Sequence, residues 1–77
     1  MSPTAEKVRA ILAAQLDVDE DKISSDTNIA EELGADSLDL VELMMSIEEE
    51  FDVTIEEDKV QNFKTVVDVA AYIDGLL

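Results

Sequence analysis

From Asp36 to Phe51 the chain runs without a single Gly or Pro, directly after Gly34 interrupts the pattern before it. A segment of that length, starting on Asp36 with Asp39 three residues on, favours a helix, because Asp caps well and nothing downstream breaks the hydrogen-bond ladder. The helix is expected to open at Asp36 or Ser37 and to end near Phe51. At about 100° per residue, Leu40, Leu43, Met44, Ile47 and Phe51 fall within about 100° of one another, the stripe a core-facing helix presents. Leu38, Val41 and Met45 lie at least about 100° from the centre of that stripe and share their side with Glu42 and Glu49. Lone exposed apolar side chains are ordinary. Three of them at spacings of three and four, set among carboxylates, align as a docking surface does.

The charge says what such a surface would meet. The net charge is −15, and between Lys22 and Lys59 there are thirteen Asp or Glu residues and no Lys or Arg. That field repels nucleic acid and anionic membrane and steers basic protein patches toward it. Lys7 and Arg9, two of only five basic residues, offset local acidity and carry no nucleic-acid role.

The remaining elements are set by the same periodicity. Ser2-Pro3 is an N-cap with Pro at the first helical position, and Ala5, Val8, Ile11, Leu12 and Leu16 repeat at helical spacing, which predicts a helix from about Pro3 to Gln15. Asp17 to Leu33 reads as a long ordered loop, pinned by Ile23, Ile29 and Leu33 and turned by Ser24-Ser25-Asp26-Thr27-Asn28. Asp17, Asp19 and Asp21 match the first ligand positions of a calcium loop, but position six is Lys22 where Gly is needed and position twelve is Asn28 where a bidentate Glu is needed. No metal site is expected beyond weak, nonspecific binding to clustered carboxylates. Asp52-Val53-Thr54-Ile55 is too short and solitary for a sheet. Glu56 to Gln61 makes one or two helical turns with Val60 and Phe63 turned inward. Thr65 and Asp68 form a box-like start for Val66, Val69, Ala70, Ile73 and Leu77, with Gly75 fraying the end. The fold class is therefore all-α: a small bundle of three main helices plus one short helix, with a long loop between the first two.

Seventy-seven residues make one domain, 1–77, and a chain this size buries only about 60% of its unfolded surface, too little for a large catalytic cleft. With no Cys there is neither a disulfide framework nor a thiolate. No basic region precedes an apolar run at the start, and no stretch approaches the roughly eighteen apolar residues of a membrane span. The chain reads as soluble, cytoplasmic and monomeric. A serine hydrolase is excluded by inventory, since His is absent and the Lys residues lie outside the Ser37 segment.

Ser37 sits in the first turn of the long helix, where unpaired amides and the positive end of the helix dipole favour an anionic group attached nearby. An isolated Asp-Ser pair would be read as a simple cap. Its surroundings change that: Leu33-Gly34-Ala35-Asp36-Ser37-Leu38-Asp39, followed by Val41-Glu42-Leu43 and Glu48-Glu49-Glu50-Phe51, resembles the signature of bacterial acyl carrier proteins of the discrete, fatty-acid type. Length, acidity and the order of elements match that family over nearly the whole chain.

The resemblance implies that Ser37 carries 4′-phosphopantetheine as a phosphodiester, with Asp36 and Leu38 as the motif neighbours at the attachment site. It implies a non-catalytic carrier that holds acyl groups as thioesters and is itself the substrate of a phosphopantetheinyl transferase, the holo-carrier synthase. Ketosynthases, reductases, dehydratases and acyltransferases with basic faces would be the other partners, meeting Asp39, Val41, Glu42, Met45, Glu48 and Glu49. An acyl chain would shelter between the long second helix and the 56–62 segment, lined by Leu43, Ile47, Ile55, Val60, Phe63 and Tyr72. Carriers of polyketide, aminoacyl or alanyl groups share the signature, and an acidic helical adaptor without a prosthetic group is the alternative of another class.

Overall fold

The computed structural model describes residues 1–77. Three long helices form its frame: α1 (Pro3–Leu16), α3 (Ser37–Phe51) and α5 (Val66–Leu76), with α2 (Ile29–Leu33) and α4 (Glu57–Val60) as short helices between them and a 3₁₀ turn at Glu20–Lys22. No strand forms; the single isolated bridge pairs Asn28 with Thr65. Helix α1 lies against both α5 and α3, while α4 touches α3.

The helix starts obey the local chemistry expected of them. The Ser2 side chain accepts from the Ala5 N–H, with Pro3 inside the first turn. Thr65 and Asp68 complete a reciprocal box at the start of α5, and Asp36 and Asp39 do the same for α3, so two orphan donors are satisfied at each start. Two helices end on aspartates in the left-handed region, Asp17 after α1 and Asp52 after α3 (φ 55° and 53°), positions where a short polar side chain is tolerated better than a bulky one.

Sixteen apolar residues form one buried cluster, drawn from α1, α3, α5 and the connecting segments. The α3 stripe divides as the periodicity dictates: Leu43, Met44 and Ile47 are buried, and Leu40 and Phe51 are partly buried. On the opposite side Leu38 is 63%, Val41 50% and Met45 60% exposed.

Three boundaries differ from expectation. The 17–33 stretch is not all loop, because Asn28 caps a helix by accepting from the Glu31 N–H at 2.9 Å while Glu32 accepts from the Asn28 N–H at 2.7 Å. Gly34 then closes α2 at φ 71°, and a Cβ there would meet nothing within 4 Å, so it is the backbone conformation that favours glycine. Helix α1 continues one residue past Gln15 to Leu16. Helix α5 runs through Gly75 to Leu76, and Leu77, counted in its buried stripe, is 71% exposed beyond the helix end.

The loop anchors are as the sequence indicates, with Ile23 and Ile29 buried and Leu33 partly so. Backbone bonds complete the anchoring, from the Ile29 N–H to the Lys64 carbonyl at 2.8 Å and from the Val67 N–H to the Ser25 carbonyl at 2.9 Å. Lys7 and Arg9 take the local role assigned to them: Lys7 lies 3.6 Å from Glu50 and 5.7 Å from the Phe51 ring centre, and Arg9 lies 3.7 Å from Glu20. Asp17 is the α1 C-cap and Asp19 precedes the 3₁₀ turn.

Candidate functional site

Helix α3 begins with Ser37 as its first residue and Asp36 as its cap. The Asp36 Oδ1 accepts from the Asp39 N–H at 3.0 Å, and the Asp39 Oδ2 accepts from the Asp36 N–H at 3.1 Å. The cap is thus complete without Ser37, whose side chain is exposed and whose hydroxyl stays outside these bonds. Leu38 stands beside it as the most exposed residue of α3's outer apolar strip.

Ser37 lies on the rim of a cleft of about 660 Å³. Leu40, Val41, Met44, Met45 and Glu48 form its α3 wall, and Ile55, Glu57, Val60 and Gln61 form the wall opposite. On the helical wheel Ser37, Leu40, Val41, Met44 and Glu48 step by three and four residues. They make a third stripe, between the core-facing one and the outer one. That stripe is legible in the sequence once the wheel is centred on the serine, and centring it on the core hides it.

The six residues expected to line an acyl shelter all belong to the one core cluster or pack against it, but only two of them line this cleft. Ile55 and Val60 line the cleft. Leu43 and Ile47 are fully buried in the core and do not line the cleft. Phe63 and Tyr72 pack on each other, ring centres 5.2 Å apart at 58°, and border a separate hollow of about 250 Å³ with Lys59, Asn62, Asp68 and Ala71. A turn at 61–62 follows α4, and beyond it Phe63 meets Tyr72 of α5.

The acidic residues of the outer face also separate. Glu42 and Glu49 are exposed and border a hollow of about 770 Å³ between α1 and α3 with Ile11, Ala14 and Met45. Asp39 is half-buried, its carboxylate engaged in the cap and its carbonyl accepting from Gln15 Nε2 at 2.6 Å. The Glu48 Oε2 accepts from the Ile55 N–H at 2.8 Å. Two carboxylates elsewhere sit below the usual carboxylate range: Asp26 through its bond from the Ser24 hydroxyl and its own backbone N–H, and Asp68 through the N–H groups of Lys64 and Thr65.

An exposed serine at a helix start, beside an apolar cleft and an acidic outer face, is an arrangement for bearing a group and presenting it. A family model described as the phosphopantetheine attachment site matches residues 6–73. The acyl carrier protein of Akkermansia muciniphila is 48% identical over 69 residues, covering 90% of this chain and 86% of that protein. That of Bdellovibrio bacteriovorus is 48% identical over 68 residues (88% and 87% covered), and that of Zymomonas mobilis 46% over 74 residues (96% and 95%). A solved structure assigned as an acyl carrier protein of Mycobacterium tuberculosis superposes with a TM-score of 0.86 at 33% identity, covering 94% of this chain and 96% of that one. The chain belongs to the acyl carrier protein family, the phosphopantetheine-bearing, non-catalytic carriers of acyl groups. No helix is long and apolar enough to cross a membrane.

Proposed function

We propose that Ser37 is the residue that bears 4′-phosphopantetheine, and that the chain, acting as one monomeric domain over residues 1–77, carries acyl groups among the enzymes of fatty-acid synthesis in the cytoplasm. The observation that carries this reading is the position of Ser37, with an exposed hydroxyl left outside a cap that Asp36 and Asp39 complete between themselves, on the rim of an apolar cleft. When attached, the arm supplies a terminal thiol on which acyl groups are held as thioesters.

The chain's own residues account for the rest. The positive end of α3 stabilises a phosphate ester at Ser37. Asp36 fixes the backbone on which the hydroxyl stands, and Leu38 offers an incoming enzyme an apolar contact. No His is present to act as a base at Ser37, so a phosphopantetheinyl transferase activates the hydroxyl and this protein is its substrate. Leu40, Val41, Met44, Ile55 and Val60 give an alkyl chain an apolar shelter, at about 0.8 kcal/mol per methylene buried. Leu38, Val41 and Met45, with Glu42 and Glu49, form the face on which basic acyl-processing enzymes dock, where charge complementarity acts mainly on the rate of encounter.

Intact mass after incubation with a phosphopantetheinyl transferase and coenzyme A tests the assignment. The wild-type chain gains one arm and Ser37→Ala gains none, while its stability changes by at most about 1 kcal/mol because Asp36 still caps α3. An alanine variant that still gains the arm overturns it. For the docking face, Glu49→Lys is expected to slow association with a partner enzyme at low salt and to flatten its salt dependence; an unchanged rate at low salt counts against that face.

A further inference from the structure

The turn out of α3 is built around one residue. The backbone carbonyl of Glu48 accepts from the N–H of Asp52, the left-handed residue that ends the helix, and from the N–H of Val53 at 3.2 Å. Its carboxylate Oε2 then accepts from the N–H of Ile55 at 2.8 Å. Glu48 therefore satisfies three of the four backbone donors between Asp52 and Ile55. The third of these bonds is the only one that depends on the identity of its side chain.

Beyond Ile55 the chain has no comparable tie to α3. The backbone bonds of the next residues are local to the segment: Lys59 to the Glu56 carbonyl at 3.0 Å, Asn62 to Lys59 at 3.0 Å and Phe63 to Val60 at 3.1 Å. Helix α4 has no side-chain cap bond and buries none of its own residues. Ile55 is only 8% exposed, and it is the deepest residue of the cleft wall that faces Leu40 and Met44. Its side chain packs in the core cluster, and its backbone N–H is tied to α3 by Glu48, itself on the cleft's edge.

We propose that Glu48 is a positioning residue: its carboxylate is a latch on the Ile55 N–H that sets the width of the α3–α4 cleft. The proposal rests on the reading of that cleft as the acyl shelter. The function it requires of Glu48 is acceptance of a hydrogen bond, and Gln can supply that through its amide oxygen whereas Ala cannot.

The test compares wild type, Glu48→Gln and Glu48→Ala. In the unloaded full-length proteins, amide hydrogen exchange is expected to be roughly tenfold or more faster at Ile55 in Glu48→Ala and close to wild type in Glu48→Gln, with the buried Leu43 amide unchanged in both. In the same proteins carrying an acetyl or an octanoyl group, release by hydroxylamine is expected to be slower for octanoyl than for acetyl in wild type and Glu48→Gln, and equal in Glu48→Ala. An Ile55 rate unchanged in Glu48→Ala overturns the latch, as does a Glu48→Gln rate as fast as that of Glu48→Ala. Faster Ile55 exchange with octanoyl protection intact overturns the claim on cleft width. Equal release of the two groups in wild type is instead the failure of the shelter reading, and the exchange rates then still decide whether Glu48 holds Ile55.

Discussion

Helices α4 and α5 are neighbours in the chain and opposites in construction. Helix α5 opens on a reciprocal Thr65–Asp68 box and buries Val66, Val69, Ala70 and Ile73. Helix α4 opens on Glu56 with no side-chain bond, spans four residues and buries none of them. An isolated helix of that length has no stability of its own, so α4 exists because its flanks, Ile55 and Phe63, are buried on either side of it. A small chain can thus be both ordered and adaptable: α1, α3 and α5 carry most of the core, and the cleft beside Ser37 has one wall on α3 and one on α4, which is tethered through the buried Ile55 and Phe63 at its flanks.

The largest expected effects separate the two regions directly. Ile73→Ala in α5 removes a fully buried side chain and is expected to cost roughly 2 to 5 kcal/mol in denaturant unfolding. Val60→Ala in α4 removes a half-buried one and is expected to cost less than about 1 kcal/mol. Equal losses at the two positions would break the comparison.

Much of this contrast is legible in the residues themselves. The Thr65–Asp68 spacing and the apolar repeat after it specify α5, and the Asp36–Asp39 spacing with its two apolar faces specifies α3. Helix α2 is hidden in the sequence because Gly34 reads as a break before α3, when it is equally the left-handed terminator of a helix that Asn28 starts only six residues earlier. The lining of the cleft is hidden for a different reason. The family resemblance groups Phe63 and Tyr72 with Ile55 and Val60 in one lining, but Phe63 packs on Tyr72 of α5 and the two border a separate hollow. Leu43 and Ile47, expected as lining, are consumed by the core. The wheel of α3 gives the cleft stripe when it is centred on Ser37, but which residues of α4 and its flanks face that stripe is settled only by how that segment packs.

A smaller effect sharpens the description of α5. Asp68 is held below the usual carboxylate range by the backbone N–H groups of Lys64 and Thr65. A carboxylate depressed in the folded state contributes stability that is fully present above its unfolded pKa, about 3.9, and is lost as pH falls through the lower folded value. Carbon-13 titration of the side-chain carboxyls is expected to show Asp68 protonating at a lower pH than an unstructured Asp. Exchange at the Thr65 amide is expected to lose its protection over the same acid range. In Asp68→Asn that acid-dependent loss disappears. The effect on global stability is small, because the group is exposed and solvent screens it.

The cleft beside Ser37 pairs a fixed wall on α3 with a tethered one on α4, and denaturant-dependent amide exchange on the unloaded protein tests this most directly. Amides in the core-facing helices, such as those of Val69, Ile73 and Ile47, are expected to exchange only through global unfolding, with free energies that fall steeply as denaturant is added. The Gln61, Asn62 and Phe63 amides, which close the α4 turn, are expected to exchange through a local opening of lower free energy that barely responds to denaturant. If these amides instead merge with those of α5 at the global free energy and slope, the tethered wall does not exist and the cleft is as rigid as the core.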